Sequence, residues 1–255
     1  MQPALFIGHG SPMNALGGNS YAQYLGKLGR ELTRPKAILA VSAHWETRGT
    51  EVLEAEAPAT IHDFFGFPPE LYRIQYPAPG APELAARVSE LLGHRATRTK
   101  TWGFDHGTWA VLNFLYPGAD IPVTQLSLNK TLSMREHFDL AARLKPLRDE
   151  GFLLIGSGNI VHNLRDFSWN AAVEPFPWAE KFDALMERAL LNRDLDMLLD
   201  FKGIEPELVR RAAPSPEHYA PLAYALGFSE AKEKVSFPFT EMQNGSIAMR
   251  SVRFG

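Results

Sequence analysis

The chain has 255 residues, of which 45% are hydrophobic and 22% charged. This composition excludes a disordered or fibrous protein, and the length suits one large domain with a substantial core. Its 26 basic and 29 acidic residues give a formal net charge of −3, so no nucleic-acid partner is expected. The absence of cysteine excludes disulfides, thiolate metal sites and a cysteine nucleophile.

Short apolar runs alternate with helical patterns along most of the chain, as is typical of a sheet that is covered on both faces. We therefore predict a single α/β domain over residues 1–255, with a central, mostly parallel sheet flanked by helices on both faces. The predicted strands are residues 4–7, 37–41, 121–128, 152–155, 234–237 and 246–254, and the predicted helices are residues 21–32, 82–92, 106–116, 132–147, 178–191, 195–201 and 216–226.

The start of the chain lacks the pattern of a targeting or membrane segment. Residues 1–3 carry no basic side chain, and the apolar run that follows is interrupted by Gly8, His9 and Gly10. No apolar stretch approaches the roughly 20 residues that a membrane-spanning helix needs. We expect a cytoplasmic protein without a membrane partner, and the sequence predicts no particular oligomeric state.

Three histidines follow predicted strands. His9 comes two residues after the first strand, His44 follows the second, and His162 follows the fourth after a short turn. Ligands of open α/β sheets bind outside the carboxyl ends of the strands, so we expect these imidazoles to meet at one edge of the sheet. Nearby glycines are expected to let the backbone approach a ligand closely; they are Gly8, Gly10, Gly156 and Gly158.

The remaining histidines have weaker patterns. Asp105 is predicted to cap a helix whose first turn holds His106, and a helix N-terminus favours a neutral, proton-accepting imidazole. His218 opens another predicted helix. His94 and His137 are interpreted as solvated structural residues.

The longest irregular segment, about residues 57–79, is aromatic and apolar, as binding loops often are. His62 in this segment is a candidate substrate contact. Elsewhere the chain has no Gly-x-Ser-x-Gly elbow, Walker A loop, His-Glu-x-x-His pair or dinucleotide fingerprint. Imidazoles without thiolates suit Zn, Fe, Cu or Ni. The residues therefore predict a histidine-rich, mononuclear transition-metal site.

Five motifs occur in order between residues 6 and 226. They are residues 6–13 (FIGHGSPM), 41–45 (VSAHW), 103–107 (GFDHG), 156–163 (GSGNIVHN) and 217–219 (EHY). Together they resemble the DOPA-dioxygenase group of the class III extradiol ring-cleavage dioxygenases. The resemblance implies a non-haem Fe(II) ion at the carboxyl edge of the sheet, with a small-molecule catechol and O2 as substrates.

The resemblance also implies roles for five histidines. His9 and His44 match the two metal histidines, and His218 matches a third metal ligand of this subgroup. His162 matches the acid–base histidine and is also a candidate fourth ligand, so both of its roles stay open. His106 corresponds to a second proton-handling or substrate-orienting residue.

Better-known members of the wider class hold the metal with two histidines and a carboxylate. A third histidine instead leaves the site one negative charge short, and three imidazoles also hold zinc well, so Zn(II) is a second candidate metal.

The implied reaction opens the ring of DOPA or a similar dihydroxyphenyl acid and gives a semialdehyde. Aromatic residues are candidates either for the substrate wall or for the core; they are Trp45, Phe64, Phe65, Phe67 and Trp109. Two alternatives stay open: a zinc-dependent hydrolase, and a non-catalytic metal-binding or interaction protein of the same superfamily.

Overall fold

The computed structural model describes residues 1–170 and 173–255, and across these residues a six-stranded sheet forms the centre of the fold. The sheet order is β6-β2-β8-β1-β12-β9; the first four strands run parallel, and β12 runs antiparallel to both of its neighbours, β1 and β9. The strands are β1 (Ala4–Gly8), β2 (Ile38–Ser42), β3 (Glu46–Thr47), β4 (Thr50–Leu53), β5 (Ala96–Thr99), β6 (Val123–Gln125), β7 (Leu128–Asn129), β8 (Leu153–Gly158), β9 (Val235–Phe239), β10 (Met242–Gln243), β11 (Ile247–Ala248) and β12 (Ser251–Phe254).

Helices connect the strands and cover the sheet. They are α1 (Ser20–Glu31), α2 (Pro82–Leu92), α3 (His106–Leu115), α4 (Met134–Ala142), α5 (Pro146–Asp149), α6 (Pro177–Asn192), α7 (Leu195–Asp200), α8 (Pro206–Ala212) and α9 (Ala220–Phe228), with short 3-10 turns at Pro12–Leu16, Leu71–Arg73 and Gly93–Arg95. Within the described part of the chain, none of these helices has the length and apolar character that crossing a membrane requires.

The two faces of the sheet are buried by different helices. Side chains alternate along a strand, so Ala4 and Phe6 of β1 join a core with α4 and α9, whereas Leu5 and Ile7 join a second core with α1 and α3. The prediction of a mostly parallel sheet flanked by helices is confirmed.

Several predicted boundaries differ from the structure. The predicted helix 132–147 is two helices, because α4 ends at Ala142 and Pro146 starts α5 at a position where its missing N–H has no cost. The predicted strands 121–128 and 246–254 are each two short strands in the structure. The last predicted helix begins at Ala220 rather than at residue 216, which places His218 in the turn before α9.

The glycines near the strand ends mainly admit neighbouring parts of the chain, and of the four only Gly10 also lines the cavity. A Cβ on Gly156 would lie 2.2 Å from the carbonyl oxygen of Pro221, and one on Gly158 would lie 2.2 Å from that of His218. Gly8 and Gly10 similarly abut Met249. These close approaches bring the turn that carries His218 against the end of β8.

The interpretation of His137 as a solvated residue was wrong. It is 4% exposed, and its Nδ1 lies 3.1 Å from the hydroxyl of Tyr224, because α4 turns this side of its surface toward α9. His94 is exposed, as expected.

Burial lowers the pKa of His137 to about 4, so the unfolded chain binds a proton more readily than the folded protein does. Stability is therefore lost as the pH falls below about 6.5 toward 4, and the cost between pH 7 and pH 5 is about 2 kcal/mol. Urea unfolding of wild type and His137→Gln across this range checks the prediction. The variant should lose less stability on acidification, and identical pH dependences would contradict it.

Candidate metal centre

The side chains of His9, His44 and His218 converge at the carboxyl edge of the sheet. Their nearest ring nitrogens all lie within 4.8 Å of one another, and Nε2 of His9 is 3.1 Å from Nε2 of His44. The parallel register of β1, β2 and β8 places Gly8, Ser42 and Gly158 at this edge. The structure thus brings together three residues that are separated by up to 209 positions in the chain.

Ser157 sets the orientation and tautomer of His9. The Ser157 hydroxyl donates its single proton to the carbonyl oxygen of Gly107, at 2.5 Å, and lies 3.0 Å from Nδ1 of His9. Since that proton is already used, Ser157 accepts a hydrogen bond from His9, and the proton of the imidazole sits on Nδ1. The lone pair of Nε2 is left to face the cluster.

Carboxylates lie beside Nδ1 of the other two histidines. Nδ1 of His218 lies 3.0 Å from Glu217, and Nδ1 of His44 lies 3.3 Å from Oδ2 of Asp63. Burial opposes ionisation of Glu217, but the hydrogen bonds from His218 and Ser215 outweigh it and lower its pKa to about 2. Both carboxylates are therefore acceptors at neutral pH, and Nε2 of each imidazole is left available.

Burial, reinforced by the neighbouring imidazoles, lowers the pKa of His9 and of His44 well below the usual value. Both rings are neutral at pH 7, which is the state that binds metals. Two lone pairs 3.1 Å apart repel each other unless a cation lies between them. Two nitrogens bonded to one tetrahedral ion at 2.0–2.1 Å are separated by roughly 3.3 Å, so the donor set fits a transition metal ion.

His162 lies beside the three-histidine cluster. Its ring stacks on that of His218, with centroids 3.5 Å apart and planes 5° from parallel. Its nitrogens cluster with Glu217 and His218 rather than with His9 and His44. Burial, with a contribution from His218, lowers the pKa of His162 to about 2, so this imidazole is neutral.

His106 is held by Asp63. One oxygen of Asp63 accepts a hydrogen bond from the His106 ring at Nδ1, and the other accepts one from the His106 backbone N–H, both at 2.8 Å. Burial opposes ionisation of Asp63, but the contacts with His106 lower its pKa below the usual value. Nε2 of His106 is the nitrogen left for a substrate. Asp105 caps α3 by accepting from Thr108, as predicted.

Three residues that complete this site were not singled out from the sequence as part of it. Asp63, Ser157 and Glu217 each fix a histidine that was predicted. Glu217 lies in the EHY motif and Ser157 in the GSGNIVHN motif, and these positions were the available signals. Asp63 lies 43 residues from His106, and only the fold brings the two together.

A cavity of about 890 Å³ opens over the cluster. Phe64 and Phe67 line it, as do His44, His106, His162 and His218. The other candidates for the substrate wall lie elsewhere: Phe65 is 91% exposed and outside the cavity, whereas Trp45 and Trp109 are buried in the core. Nor does His62 line the cavity, because its Nε2 hydrogen-bonds to the carbonyl of Ile74 within its own loop.

Comparison with known proteins gives a consistent result over the whole chain. Residues 4–251 match the family model described as the catalytic LigB subunit of aromatic ring-opening dioxygenase. A relative from Escherichia coli K12 named "4,5-DOPA dioxygenase extradiol" is 46% identical, covering 99% of this chain and 94% of its own. A Beta vulgaris protein of the same name is 38% identical, covering 100% and 97%. The crystal structure of an uncharacterized protein from E. coli K12 superposes with a TM-score of 0.87 at 42% identity, covering both chains fully.

Proposed function

Because this chain belongs to the LigB family of extradiol aromatic ring-opening dioxygenases, we propose that it opens the ring of a catechol, DOPA or a similar dihydroxyphenyl acid, with O2 at a non-haem Fe(II) site. The product is a semialdehyde, and residues 1–255 form one catalytic domain. The observation that carries the proposal is the convergence of one ring nitrogen each from His9, His44 and His218 beside an open cavity.

His9, His44 and His218 would hold the metal through Nε2. Fe(II) there would supply a Lewis-acid and redox centre that joins the catechol to O2. Ser157, Asp63 and Glu217 hold the three imidazoles in the orientation that binding requires. Such outer partners typically change metal affinity or activity by 10- to 100-fold.

The other two histidines handle protons. Nε2 of His106, held in place by Asp63, accepts the proton of a catechol hydroxyl. His162, which stacks on His218, takes up a second proton and returns it to the oxygen that is freed when the O–O bond breaks and is then taken into the product. Phe64 and Phe67 pack against the aromatic ring and exclude water.

Anaerobic reconstitution with Fe(II) tests the proposal. The protein is loaded with one equivalent of iron, mixed with DOPA, and exposed to oxygen in an oxygen electrode while absorbance of the semialdehyde product is recorded. We expect one O2 consumed for each catechol opened. Oxygen uptake no faster than an iron-only control, across several catechols, would contradict the proposal.

Three imidazoles without a carboxylate ligand also suit a zinc hydrolase, so the zinc-loaded protein is the second arm of the experiment. Our proposal predicts a zinc form that consumes no oxygen and hydrolyses no ester or amide of a broad panel. Hydrolysis by the zinc form would favour the alternative. A non-catalytic role would follow only if neither metal form turned over any substrate.

Asp63→Asn should lower kcat/KM by about 10- to 100-fold, because the amide nitrogen would face one of the two N–H groups of His106 from which the carboxylate now accepts hydrogen bonds. Oxygen-uptake kinetics at saturating Fe(II) measure the loss. Asp139→Asn, which neutralises an exposed carboxylate of α4, is the matched control. An Asp63→Asn enzyme within twofold of wild type would contradict this role.

A further inference from the structure

The outer wall of the cavity carries one formal charge. Among the residues of the described chain that line the cavity, Glu241 is the only acidic one and none is Lys or Arg. The Glu241 side chain is exposed, and within residues 1–170 and 173–255 it forms neither an ion pair nor a hydrogen bond. The carboxylate is therefore available to a ligand.

The backbone of Glu241 is fixed relative to the metal cluster. Its carbonyl oxygen accepts a hydrogen bond from the N–H of Met249, at 2.8 Å. The Met249 side chain packs so closely on Gly10 that a Cβ there would lie 2.3 Å from its sulfur. Gly10 follows His9 directly. A series of close contacts thus runs from the cluster to the backbone of Glu241.

The polar side chains that line the cavity near Glu241 form hydrogen bonds with one another. Asn14 and Gln243 exchange hydrogen bonds of 3.0 and 3.1 Å between their amides, and Asn19 donates to Asn14 at 3.3 Å. These amides therefore have few free hydrogen-bonding groups for a charged substituent of the substrate. The exposed indole of Trp169 also lines the cavity, and aromatic faces attract ammonium groups.

We propose that Glu241 forms an ammonium subsite, so that the cavity selects catechols whose side chain bears a primary amine. This inference rests on the proposed function. A carboxylate on the substrate side chain finds no cation in the described lining and is repelled by Glu241. For an amino acid such as DOPA, the amine is then the recognised group, and a decarboxylated catecholamine is a better substrate than a dihydroxyphenyl acid without an amine.

Three catechols with side chains of similar length test the subsite: dopamine, neutral 4-ethylcatechol and 3,4-dihydroxyphenylacetate. The kcat/KM values for oxygen uptake are measured on the Fe(II)-loaded enzyme, and affinities are measured calorimetrically without oxygen. We expect dopamine to exceed 4-ethylcatechol by about two- to fivefold and the acid to fall below it, because an exposed charge pair has an effect of this size. The preference should shrink at 1 M salt.

Glu241→Gln should reduce the ratio of dopamine to 4-ethylcatechol, in both kcat/KM and affinity, by the same two- to fivefold. Glu83→Gln, which removes an exposed carboxylate at the start of α2, should keep the wild-type ratio. An unchanged ratio in Glu241→Gln, or a wild-type preference for the acid, would overturn the subsite and leave the proposed function standing. No oxygen uptake with any of the three catechols would overturn both.

Discussion

His9→Ala is expected to lower kcat/KM by more than about 10³-fold, because the loss of one of three imidazoles removes the metal that the reaction depends on. His9 is 4% exposed and its Nδ1 is held by Ser157, so no other side chain replaces its Nε2. Oxygen uptake with DOPA measures the activity, and elemental analysis of the dialysed protein measures the bound metal.

Folding of the variant is checked separately from its activity. A metal that binds only the folded protein raises the melting temperature of wild type, and His9→Ala should lose this increase while remaining folded by circular dichroism. The matched control is His94→Gln, since His94 is an exposed histidine away from the cavity. A folded His9→Ala protein that retains stoichiometric metal and normal turnover would remove His9 from the site.

His162→Gln is expected to lower kcat by about 10² to 10⁴-fold, the usual contribution of a positioned proton donor or acceptor. The glutamine amide is similar in size to the imidazole but exchanges no proton near neutral pH. The stacking of His162 on His218, apart from the pair formed by His9 and His44, favours the acid–base role.

Metal content distinguishes the two roles of His162. If it acts on protons, His162→Gln binds one metal ion with an affinity near that of wild type and turns over slowly. If it is a fourth ligand, metal affinity falls together with activity. Retention of wild-type kcat would contradict both roles.

The strand and helix order followed from the sequence because apolar runs and helical spacing are local patterns. Residues 4–7 and 82–92 illustrate this, since β1 extends the first by one residue and α2 matches the second. Boundaries that depend on packing were less predictable. The position of α9 is set by close contact of its first turn with Gly156 and of the preceding turn with Gly158, which no local pattern reveals.

The site was predictable to the extent that strand ends carry histidines. His9, His44 and His162 follow β1, β2 and β8, and a parallel sheet necessarily brings them to one edge. His218 was included through its motif rather than through any periodicity. Asp63 lies in an irregular loop, and its hydrogen bonds to His106 depend on how that loop folds over α3. The exposure of Phe65 could not be predicted either, because it depends on how the same loop folds.

The most direct test of the metal centre is an anaerobic crystal structure of the Fe(II)-loaded protein soaked with a catechol, with the metal located by anomalous scattering at the iron edge. We predict one iron per chain, bonded to Nε2 of His9, His44 and His218, with the catechol oxygens on its cavity side. An iron bound elsewhere, or a catechol bound away from these three imidazoles, would contradict the proposed metal centre.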